Sequence, residues 1–454
     1  MANKAFIEEG RIDHLYRPVE TRANDFSEVE IPLTKEQLRK QSERCMNCGI
    51  PFCQGSGCPL ENAIPDINAA ALRGDWRTAW AILSSTSSLP EFPSRICPAL
   101  CEGSCTANLP GEAVMIRQIE KAVVEKAYAM GLVKPIIPKT ENGQSAAIIG
   151  SGPAGLAAAI SLRKQGYAVT VYEKNAAPGG LLRYGIPFFK LDKKIIDRRI
   201  DVMKESNIKF KCDTEVGKDV SGAYLAKTHD LVIIAIGTPD ARDLKIPGRE
   251  LQGVHLALEF LGTQNQFLGG EIAAAPISAA GKKVLVIGGG DTGSDCVGTS
   301  NRQGAESVIQ IEIMPKPPVS RSESTPWPDW PYQLRTSSSH EEGCQRRCNL
   351  NSLRFIGKEG KLTGVEVCPV EWEISPEGRP LKFKNVEGKN EVIACDLVFL
   401  AMGFLKQDRA ATLARFGLED SPNIYIIGDA ASGPSLVVRA LADGKKLVNR
   451  LNGK

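Results

Sequence analysis

The sequence predicts an α/β protein in which a helical N-terminal domain is followed by two Rossmann-like dinucleotide-binding domains. Three observations predict this fold class. Seven of the 13 cysteines lie between residues 45 and 105, among segments whose periodicity is helical rather than strand-like. A strand, a glycine-rich turn and a helix then follow one another twice, first near residue 146 and again near residue 284. The 454 residues are enough for two or three domains, each with its own core.

The composition is that of an ordinary globular chain. Its 56 basic and 53 acidic residues leave a net charge of only +3, so no global basic field points to a nucleic acid. No run approaches the roughly 18 apolar residues of a membrane span, and the N-terminus lacks the apolar core of a signal peptide. We therefore expect a cytoplasmic protein.

Residues 1–143 are expected to form the helical domain and the linker that ends it. Helix-like stretches cover Thr34–Cys45, Ile67–Leu83 and Ala113–Met130, with almost no strand-like alternation between them. The stretch 134–143 contains prolines, which disfavour a helix, and an Asn-Gly pair, which favours a turn. We interpret it as the linker to the first nucleotide-binding unit.

The first nucleotide-binding unit begins with a predicted strand at Ala146–Ile149. A glycine-rich turn, Gly150–Gly155, leads into a helix predicted to reach about Gln165, and a second strand follows at Ala168–Tyr172. That strand ends at Glu173, whose carboxylate can accept a hydrogen bond from a ribose hydroxyl. This order of elements distinguishes a dinucleotide site from a glycine turn in any other α/β protein.

The second unit repeats this order, with a strand at Val284–Ile287, the turn Gly288–Gly293, a helix to about Gln303 and a strand at Ser307–Ile313. In each turn the first glycine permits a tight bend, the second lets the backbone approach a pyrophosphate, and the third lets helix and strand pack closely. Two such units imply two dinucleotides. The turn residues expected to bind them are Gly150, Gly152, Pro153, Ala154 and Gly155 in the first unit, and Gly288, Gly289, Gly290, Asp291, Thr292 and Gly293 in the second.

Two further segments resemble the disulfide-reductase type of flavoprotein. One is 174–187, directly after the first unit, and the other is 423–430, which contains Gly428 and Asp429. The resemblance implies that the first unit binds FAD, that Asp429 reaches the ribityl chain, and that the second domain is inserted into the first. It also implies FAD contacts from Lys174, Gly180, Leu181, Arg183, Gly237, Gly428, Ser435, Leu436 and Val437.

The same resemblance sets the expected domain boundaries. The strand-like segments Leu231–Gly237 and Leu397–Gly403 are similar to the closing strands of the two domains. A helix that begins within 433–440 would stabilise negative charge on a reduced flavin, unless it is a plain surface helix. The expected extents are 144–270 plus 404–454 for the FAD domain and 271–403 for the NAD(P)H domain.

The clustered cysteines point to metal. A disulfide framework suits a small secreted domain rather than a protein of the reducing cytosol. Structural zinc favours two Cys-x-x-Cys pairs, but only Cys45 and Cys48 form one. Cubane 4Fe-4S clusters accept varied spacing and take about four ligands each, so two of them need about eight. The seven clustered thiols are those of Cys45, Cys48, Cys53, Cys58, Cys97, Cys101 and Cys105.

Across nearly its whole length the sequence resembles the small subunit of glutamate synthase and the related N-terminal half of dihydropyrimidine dehydrogenase. The resemblance is carried by the cysteine segments 45–60 and 95–105 and by the two glycine turns. The stretches 315–318, 326–331 and 337–343 resemble the glutamate synthase subunit in particular.

The resemblance implies two 4Fe-4S clusters and assigns their ligands. The eighth ligand is not a cysteine, and it is expected on the helix after Cys105. The alignment favours Glu120 and puts Gln118 second, since a carboxylate or amide oxygen can bind iron as a hard ligand. The alternative is that Glu120 is a solvated helix residue. The expected sets are Cys45, Cys48, Cys53 and Cys105 for one cluster, and Cys58, Cys97, Cys101 and Glu120 for the other.

The resemblance also implies a function. Such a subunit moves hydride from NAD(P)H to FAD, and electrons then leave singly through the clusters to the flavin of a large subunit that combines a glutaminase with an FMN-dependent synthase. The sequence begins Met1-Ala2, without the N-terminal cysteine such a glutaminase exposes, so we expect that partner to be a separate chain. Two alternatives stay open: an NAD(P)H:ferredoxin oxidoreductase of the same architecture, bifurcating or not, and a cluster-bearing redox sensor or scaffold.

The sequence leaves the coenzyme preference open. Glu312 suits a free ribose 2′-hydroxyl and hence NADH, whereas Lys316 and Arg321 can neutralise the additional phosphate of NADPH. The family resemblance favours NADPH. These three residues and His340 can equally form a solvated rim.

Overall fold

The protein is described by a computed structural model over residues 4–12, 15–375, 378 and 380–451. A helical N-terminal domain precedes two five-stranded parallel sheets flanked by helices, and a smaller antiparallel sheet lies beside the second of them. The predicted fold class is therefore confirmed. None of the helices in these ranges is both long and apolar enough to cross a membrane.

The N-terminal domain contains eight α-helices among its described residues. The Thr34 hydroxyl accepts a hydrogen bond from the backbone N–H of Gln37, whose side chain accepts one from the Thr34 N–H, and this capping box begins the third helix. The helices are α1 Ala5–Glu8, α2 Val19–Arg22, α3 Lys35–Glu43, α4 Ile64–Leu72, α5 Trp76–Thr86, α6 Pro93–Ile96, α7 Leu100–Gly103 and α8 Ile116–Ala129.

The stretch predicted as one helix over 67–83 is two helices, α4 and α5. Gly74 adopts a φ of +71°, a conformation that ends α4 and that other residues adopt only with strain. The carboxylate of Asp75 then accepts a hydrogen bond from the backbone N–H of Thr78 at 3.1 Å and caps α5. Apolar residues on both sides of this break concealed it from the periodicity.

The first sheet contains both strands predicted for the first unit. Its strands run parallel. In order across the sheet they are β14 Ile424–Ile426, β4 Leu231–Ile234, β1 Ser145–Ile149, β2 Ala168–Tyr172 and β3 Lys209–Lys211. The helices around this sheet are α9 Pro153–Lys164, α10 Leu181–Tyr184, α11 Lys193–Glu205, α12 Gly222–Thr228, α16 Arg409–Arg415, α17 Asp429–Ser432 and α18 Val437–Leu451.

The second sheet is built from the middle of the chain, and its strands are again parallel. In order across the sheet they are β5 Val254–Leu256, β13 Leu397–Leu400, β6 Lys283–Ile287, β7 Ser307–Ile311 and β8 Gln345–Arg347. Its helices are α13 Ala257–Leu268, α14 Asp291–Arg302 and α15 Ser338–Glu341. The antiparallel sheet contains β9 Leu350–Lys358, β10 Lys361–Ile374, β11 Pro380–Asn385 and β12 Glu391–Ala394.

The chain enters the second sheet earlier than expected. The sequence placed this crossover after residue 270, but β5 already pairs with β13, so the crossover lies between residues 234 and 254. The outgoing and returning segments meet where Ala241 bridges Phe404. A three-residue strand without a glycine turn gave no signal for this boundary.

The N-terminal domain packs directly on the first sheet domain. Leu60, Leu89, Phe92 and Leu100 share one buried cluster with residues of β1, α9 and α18. The cysteine segments are thereby held against the domain that carries the first glycine turn.

Candidate functional site

The first glycine turn, between β1 and α9, has the shape that a pyrophosphate requires. Gly150 has a φ of +99°, and a Cβ there would lie 2.6 Å from the carbonyl oxygen of Ala235. A Cβ on Gly155 would lie 2.1 Å from the carbonyl oxygen of Gly150. Gly152, at the N-terminus of α9, instead has open space where a Cβ would lie. A phosphate can therefore approach the backbone here and meet the free N–H groups of the helix.

The carboxylate of Glu173 is buried behind this turn, at the end of β2. It accepts hydrogen bonds from the N–H of Ser151 at 3.2 Å, from the Ser151 hydroxyl at 2.5 Å and from the N–H of Asn175 at 2.9 Å. The Ser151 hydroxyl accepts a further bond from the N–H of Gly179. Glu173 thus fixes both the turn and the loop after it. The sequence analysis missed Ser151, which stands at the variable position of the glycine motif.

A long cavity with about 3020 Å³ of space, its open mouth included, extends from the first turn to the start of α14. Its walls come from the first sheet domain, the segment before α18, the second sheet domain and the N-terminal domain. The predicted residues that line it are Gly150, Gly152, Pro153, Ala154, Glu173, Lys174, Gly180, Leu181, Gly237, Asp291, Thr292, Asp429, Ser435, Leu436 and Val437.

Two predicted FAD contacts have other roles. Gly428 has a φ of +65°, and a Cβ there would lie 2.5 Å from the Cβ of Ala154, so it permits close packing behind the cavity. Arg183 donates to the carbonyl of Pro178 at 2.7 Å and to the carboxylate of Asp197 at 2.5 Å. Arg183 therefore holds its own loop instead of lining the cavity.

Among the apolar residues of the cavity wall that were not predicted, three come from outside the first sheet domain and lie near the cysteines or in the loop after β7. Ile96 and Leu100 come from the N-terminal domain, directly beside Cys97 and Cys101, and Trp330 comes from the second sheet domain. These residues reach the cavity only through domain packing. No local pattern could have identified them.

The second turn, between β6 and α14, repeats the geometry of the first. Gly288 has a φ of +122°, and a Cβ there would lie 2.3 Å from the carbonyl oxygen of Ala401. A Cβ on Gly293 would lie 2.2 Å from the carbonyl oxygen of Gly288. Gly290 has open space where a Cβ would lie. The same cradle is therefore present twice.

Glu312 follows β7 and binds the second turn as Glu173 binds the first. Its carboxylate accepts hydrogen bonds from the backbone N–H of Gly289 at 2.6 Å and from that of Met314 at 3.0 Å. Glu312 is only half-buried, whereas Glu173 is buried.

Basic groups gather near Glu312 around the thiol of Cys348. Burial raises the pKa of that thiol, the charge of Glu312 raises it further, and the charges of Arg346 and Lys316 lower it. The predicted Lys316 thus acts on the same thiol as Glu312, and so does Arg346 of β8, which was not predicted and whose guanidinium donates to the carbonyl of Arg335 at 3.0 Å.

Arg321 does not join this group. It donates to the carbonyls of Thr325 at 3.0 Å, Asp329 at 2.6 Å and Gly103 at 3.0 Å. All three partners are backbone carbonyls, and Gly103 belongs to the N-terminal domain. Arg321 therefore ties the loop after β7 to that domain, and the expectation that it neutralises an NADPH phosphate is not supported.

His340 is not part of a solvated rim. Its Nε2 shares a hydrogen bond with the Gln310 side-chain carbonyl at 2.8 Å, and its Nδ1 with the Ser337 hydroxyl at 3.1 Å. Burial lowers its pKa to about 4, so the ring is neutral at pH 7. It supports α15 and the floor of the second turn.

Four cysteines surround one cavity of the N-terminal domain. Burial raises the pKa of Cys53 to about 12, and the neighbouring thiols of Cys105, Cys45 and Cys48 act in the same direction. Four soft sulfur donors around one apolar cavity match what a 4Fe-4S cubane binds. The cavity is lined by Cys45, Cys48, Cys53 and Cys105 together with Met46, Pro51, Ile64, Pro65, Asn68, Thr106, Ala107, Val114 and Ile116.

The other three clustered cysteines gather around Glu120. Burial raises the pKa of Cys58 to about 12 and that of Cys97 to about 11, and in both thiols the charge of Glu120 adds to the effect. Burial also raises the pKa of Cys101, and the charges of Glu120, Cys58 and Cys97 act in the same direction. Burial also raises the pKa of Glu120 itself to about 7. Glu120 is therefore not a solvated helix residue.

Asn62 orients the Glu120 carboxylate. Its amide nitrogen donates to Glu120 Oε1 at 2.8 Å, and its amide oxygen accepts from the Thr86 hydroxyl at 2.8 Å. Gln118 is also buried on α8, but two residues of a helix turn through roughly 200°, so it lies on nearly the opposite side from Glu120. In the described part of the chain, no three Cys, His, Asp or Glu side chains have the arrangement of a site for a single metal ion.

Both the cysteine-containing part of the chain and the part with the glycine turns match known protein families. Residues 22–132 match the family model of dihydropyrimidine dehydrogenase domain II, 4Fe-4S cluster, and residues 144–326 match that of pyridine nucleotide-disulphide oxidoreductases. The chain is 44% identical to the NADPH glutamate synthase small chain of Mycobacterium tuberculosis, over 94% of this chain and 91% of that protein. It belongs to the glutamate synthase small-chain family.

This family membership confirms the resemblance noted in the sequence. The small chain of Escherichia coli is 34% identical, over 97% of this chain and 96% of that protein. The NADH glutamate synthase of Saccharomyces cerevisiae is 39% identical over 98% of this chain, which there corresponds to 22% of a longer protein. With the oxidoreductase match, these relatives make the chain an NAD(P)H-dependent flavin and iron–sulfur oxidoreductase.

The solved structure of Mycobacterium tuberculosis FprA in complex with NADPH shares the fold. It covers 68% of this chain and 85% of its own chain, with a TM-score of 0.53 and 21% sequence identity. At this identity the likeness concerns the fold alone.

Proposed function

We propose that the chain is the electron-input subunit of a glutamate synthase, oxidising NADPH and supplying electrons to a separate large subunit with a glutaminase and an FMN-dependent synthase. The observation that carries the proposal is the long cavity. It touches the first glycine turn, the start of α14 after the second turn, and the residues beside Cys97 and Cys101. One space therefore extends from both nucleotide sites to Ile96 and Leu100, the residues that precede Cys97 and Cys101.

The chain's residues divide the work of binding and orientation. FAD, when bound, takes a hydride from the nicotinamide and releases electrons singly to the 4Fe-4S clusters. Gly152 and the N-terminus of α9 would receive the FAD pyrophosphate, and Asp429, whose pKa burial raises, lines the same cavity and would meet the ribityl chain. Gly290 and the N-terminus of α14 would receive the coenzyme pyrophosphate.

The two cysteine groups form an ordered relay in this proposal. The group of Cys58, Cys97, Cys101 and Glu120 is the inner one, because Ile96 and Leu100 beside its cysteines line the flavin cavity. The group of Cys45, Cys48, Cys53 and Cys105 is the outer one, with Met46 of its cavity wall 36% exposed and nearby Ile50 76% exposed. We expect electrons to leave the chain from the outer group.

Hydrogen bonds link the flavin side to the inner group. Lys445 of α18 donates to the carbonyl of Thr86 at 2.7 Å, and the Thr86 hydroxyl donates to Asn62, which holds Glu120. The first residue of α18, Val437, lines the cavity. The charge of Glu120 acts on the thiols of Cys58, Cys97 and Cys101, and this supports Glu120, rather than Gln118, as the eighth cluster ligand.

The ligand assignment is tested by replacing each candidate. Glu120→Ala should change the spectrum of one cluster and leave FAD content and direct flavin reduction by NADPH intact, since the flavin site is untouched. Gln118→Ala is the matched control on the same helix and should leave both cluster spectra unchanged. If Gln118→Ala alters a cluster and Glu120→Ala does not, the amide is the ligand.

The function is tested on anaerobically purified protein, alone and co-expressed with the large chain of its glutamate synthase. We expect about one FAD and about eight iron atoms per chain, rapid bleaching of the flavin by NADPH, and glutamate formation from glutamine and 2-oxoglutarate only with both chains present. Zinc without iron would contradict the cluster assignment. Ferredoxin reduction with no association to the large chain would favour the NADPH:ferredoxin oxidoreductase instead.

A further inference from the structure

A polar side chain without hydrogen-bond partners lines the cavity of the outer cysteine group, which consists of Cys45, Cys48, Cys53 and Cys105. Asn68 of α4 lines this cavity and is 1% exposed. Neither its amide nitrogen nor its amide oxygen has a hydrogen-bond partner. A buried polar group without a partner is destabilising, so its position calls for a physical reason.

The inner group, Cys58, Cys97, Cys101 and Glu120, offers a direct contrast. Asn62 is buried just as deeply, but its amide donates to Glu120 and accepts from Thr86. The domain therefore satisfies a buried asparagine beside the inner group and leaves one unsatisfied beside the outer group. The two asparagines differ because the wall of the outer cavity offers few hydrogen-bond partners to a side-chain amide.

A cluster held by the cysteines would bring to the wall around Asn68 the acceptors that its N–H lacks, in a cavity whose lining otherwise offers few besides the hydroxyl of Thr106. Its other side chains are mainly apolar, among them Ile64, Val114 and Ile116. Cysteine thiolates and the inorganic sulfide of a cubane are negatively charged and accept hydrogen bonds. The chemistry of the cavity thus selects the amide nitrogen as the end that faces the cluster.

We propose that the Asn68 amide nitrogen donates a hydrogen bond to a sulfur of the outer cluster and raises its reduction potential. The inference rests on the proposed function, because it takes the four cysteines to hold a 4Fe-4S cluster. Reduction adds one negative charge to the cluster, so a fixed N–H donor stabilises the reduced form more than the oxidised form. A higher potential at the outer cluster favours electron flow away from the flavin.

The test is a redox titration of the purified holoprotein, followed by electron paramagnetic resonance, in which each cluster is titrated separately. Asn68→Leu keeps the volume and removes the donor, and Asn68→Asp keeps the shape and replaces the N–H by an acceptor. Both should lower the potential of the outer cluster. We expect the ratio of reduced to oxidised cluster at a fixed potential to fall up to about tenfold, which is about 59 mV for one electron.

The inner cluster is the internal control, and its potential should stay constant in both Asn68 variants. Asn62→Leu is the matched variant and should perturb the inner cluster alone. Equal shifts of both clusters in an Asn68 variant would indicate a general distortion and contradict the proposal. So would unchanged outer potentials with the iron content intact.

A second measurement does not depend on the variants assembling. In wild-type protein labelled with [γ-15N]asparagine, pulsed electron paramagnetic resonance should detect coupling between the reduced outer cluster and a side-chain 15N nucleus. Absence of this coupling contradicts the role of Asn68. A wild-type protein that shows fewer than two cluster signals instead contradicts the proposed function, so the two failures are distinguishable.

Discussion

The two glycine turns have the same backbone geometry but different surroundings. Glu173 is buried behind the first turn and is held by Ser151 and Asn175. Glu312, at the second turn, is half-buried and accepts only from the backbone N–H groups of Gly289 and Met314 among the bonds described. The long cavity is lined by Gly150 and Gly152 of the first turn itself, whereas at the second turn it is lined only by Asp291 and Thr292, at the start of α14.

This difference matches two kinds of nucleotide binding. A cofactor enclosed between domains can leave only if their packing loosens, which suits a resident FAD. A coenzyme that must bind and leave in every catalytic cycle suits a more exposed turn with basic groups near it. The repeated turn thus provides the pyrophosphate cradle, and the surroundings decide how long the nucleotide stays.

The largest expected effect comes from filling the first cradle. In Gly152→Val the side chain occupies the open space at the N-terminus of α9, so the pyrophosphate is excluded. We expect the FAD content of the purified protein to fall more than about tenfold, or more than about 1.4 kcal/mol in binding free energy. The ratio of flavin absorbance to protein measures this, and the iron content should remain that of the wild type. Stoichiometric FAD in the variant would contradict the assignment of the first turn.

Gly290→Val is the matched substitution in the second turn, where the space for a Cβ is equally open. FAD content should be unchanged, and kcat/KM for NADPH should fall about tenfold or more, because the coenzyme pyrophosphate loses its approach. A flavin titration with dithionite checks that the flavin itself is still reducible. Loss of FAD in this variant, with normal NADPH kinetics in Gly152→Val, would reverse the assignment of the two sites.

Much of this comparison could be predicted from the sequence, because glycine turns are local patterns. The strand, turn, helix and acid of each unit lie within about 30 residues, and the structure has them where the pattern indicates. The clustering of seven cysteines likewise indicated metal, and the family resemblance divided them into two groups. The equivalence of the two acids was also visible, since Glu173 and Glu312 each end the second strand of a unit.

The prediction that failed and the site residues that were not predicted all depend on contacts between distant segments. Arg321 lies in the loop after β7, where a coenzyme-binding residue is expected, but its guanidinium donates to the carbonyl of Gly103. Arg346 is distant in sequence from β7 and lies opposite Gln310 only because β8 pairs with β7. Ile96 and Leu100 line the cavity because whole domains pack together. None of these positions has a local sequence signal.

A smaller effect should follow from the Ser151 hydroxyl, which is specific to the first turn. Ser151→Ala removes one donor to the buried Glu173 carboxylate and the acceptor of the Gly179 N–H. We expect the first domain to lose about 1–3 kcal/mol of stability and FAD to dissociate faster, with NADPH affinity unchanged. Flavin fluorescence release during heating measures this. Gly289→Ser, which places a hydroxyl at the same position of the second turn, should not affect FAD retention.

The smallest expected effect concerns coenzyme preference, and it tests whether the basic groups near the second turn act selectively. The charges of Arg346, Lys316 and Glu312 all act on the pKa of the Cys348 thiol, so we expect both cations to act on a phosphate held beside Glu312. A 2′-phosphate there gains attraction from the two cations and repulsion from the carboxylate. Arg346→Ala should therefore lower kcat/KM for NADPH several-fold and change that for NADH little, whereas Glu312→Gln should shift the preference toward NADPH.

Arg321→Ala is the control, because Arg321 binds only backbone carbonyls, including that of Gly103. It should affect both coenzymes equally. Steady-state kinetics with both coenzymes decides the matter. A selective fall of kcat/KM for NADPH in Arg321→Ala but not in Arg346→Ala would contradict the assignment of the 2′-phosphate to Arg346.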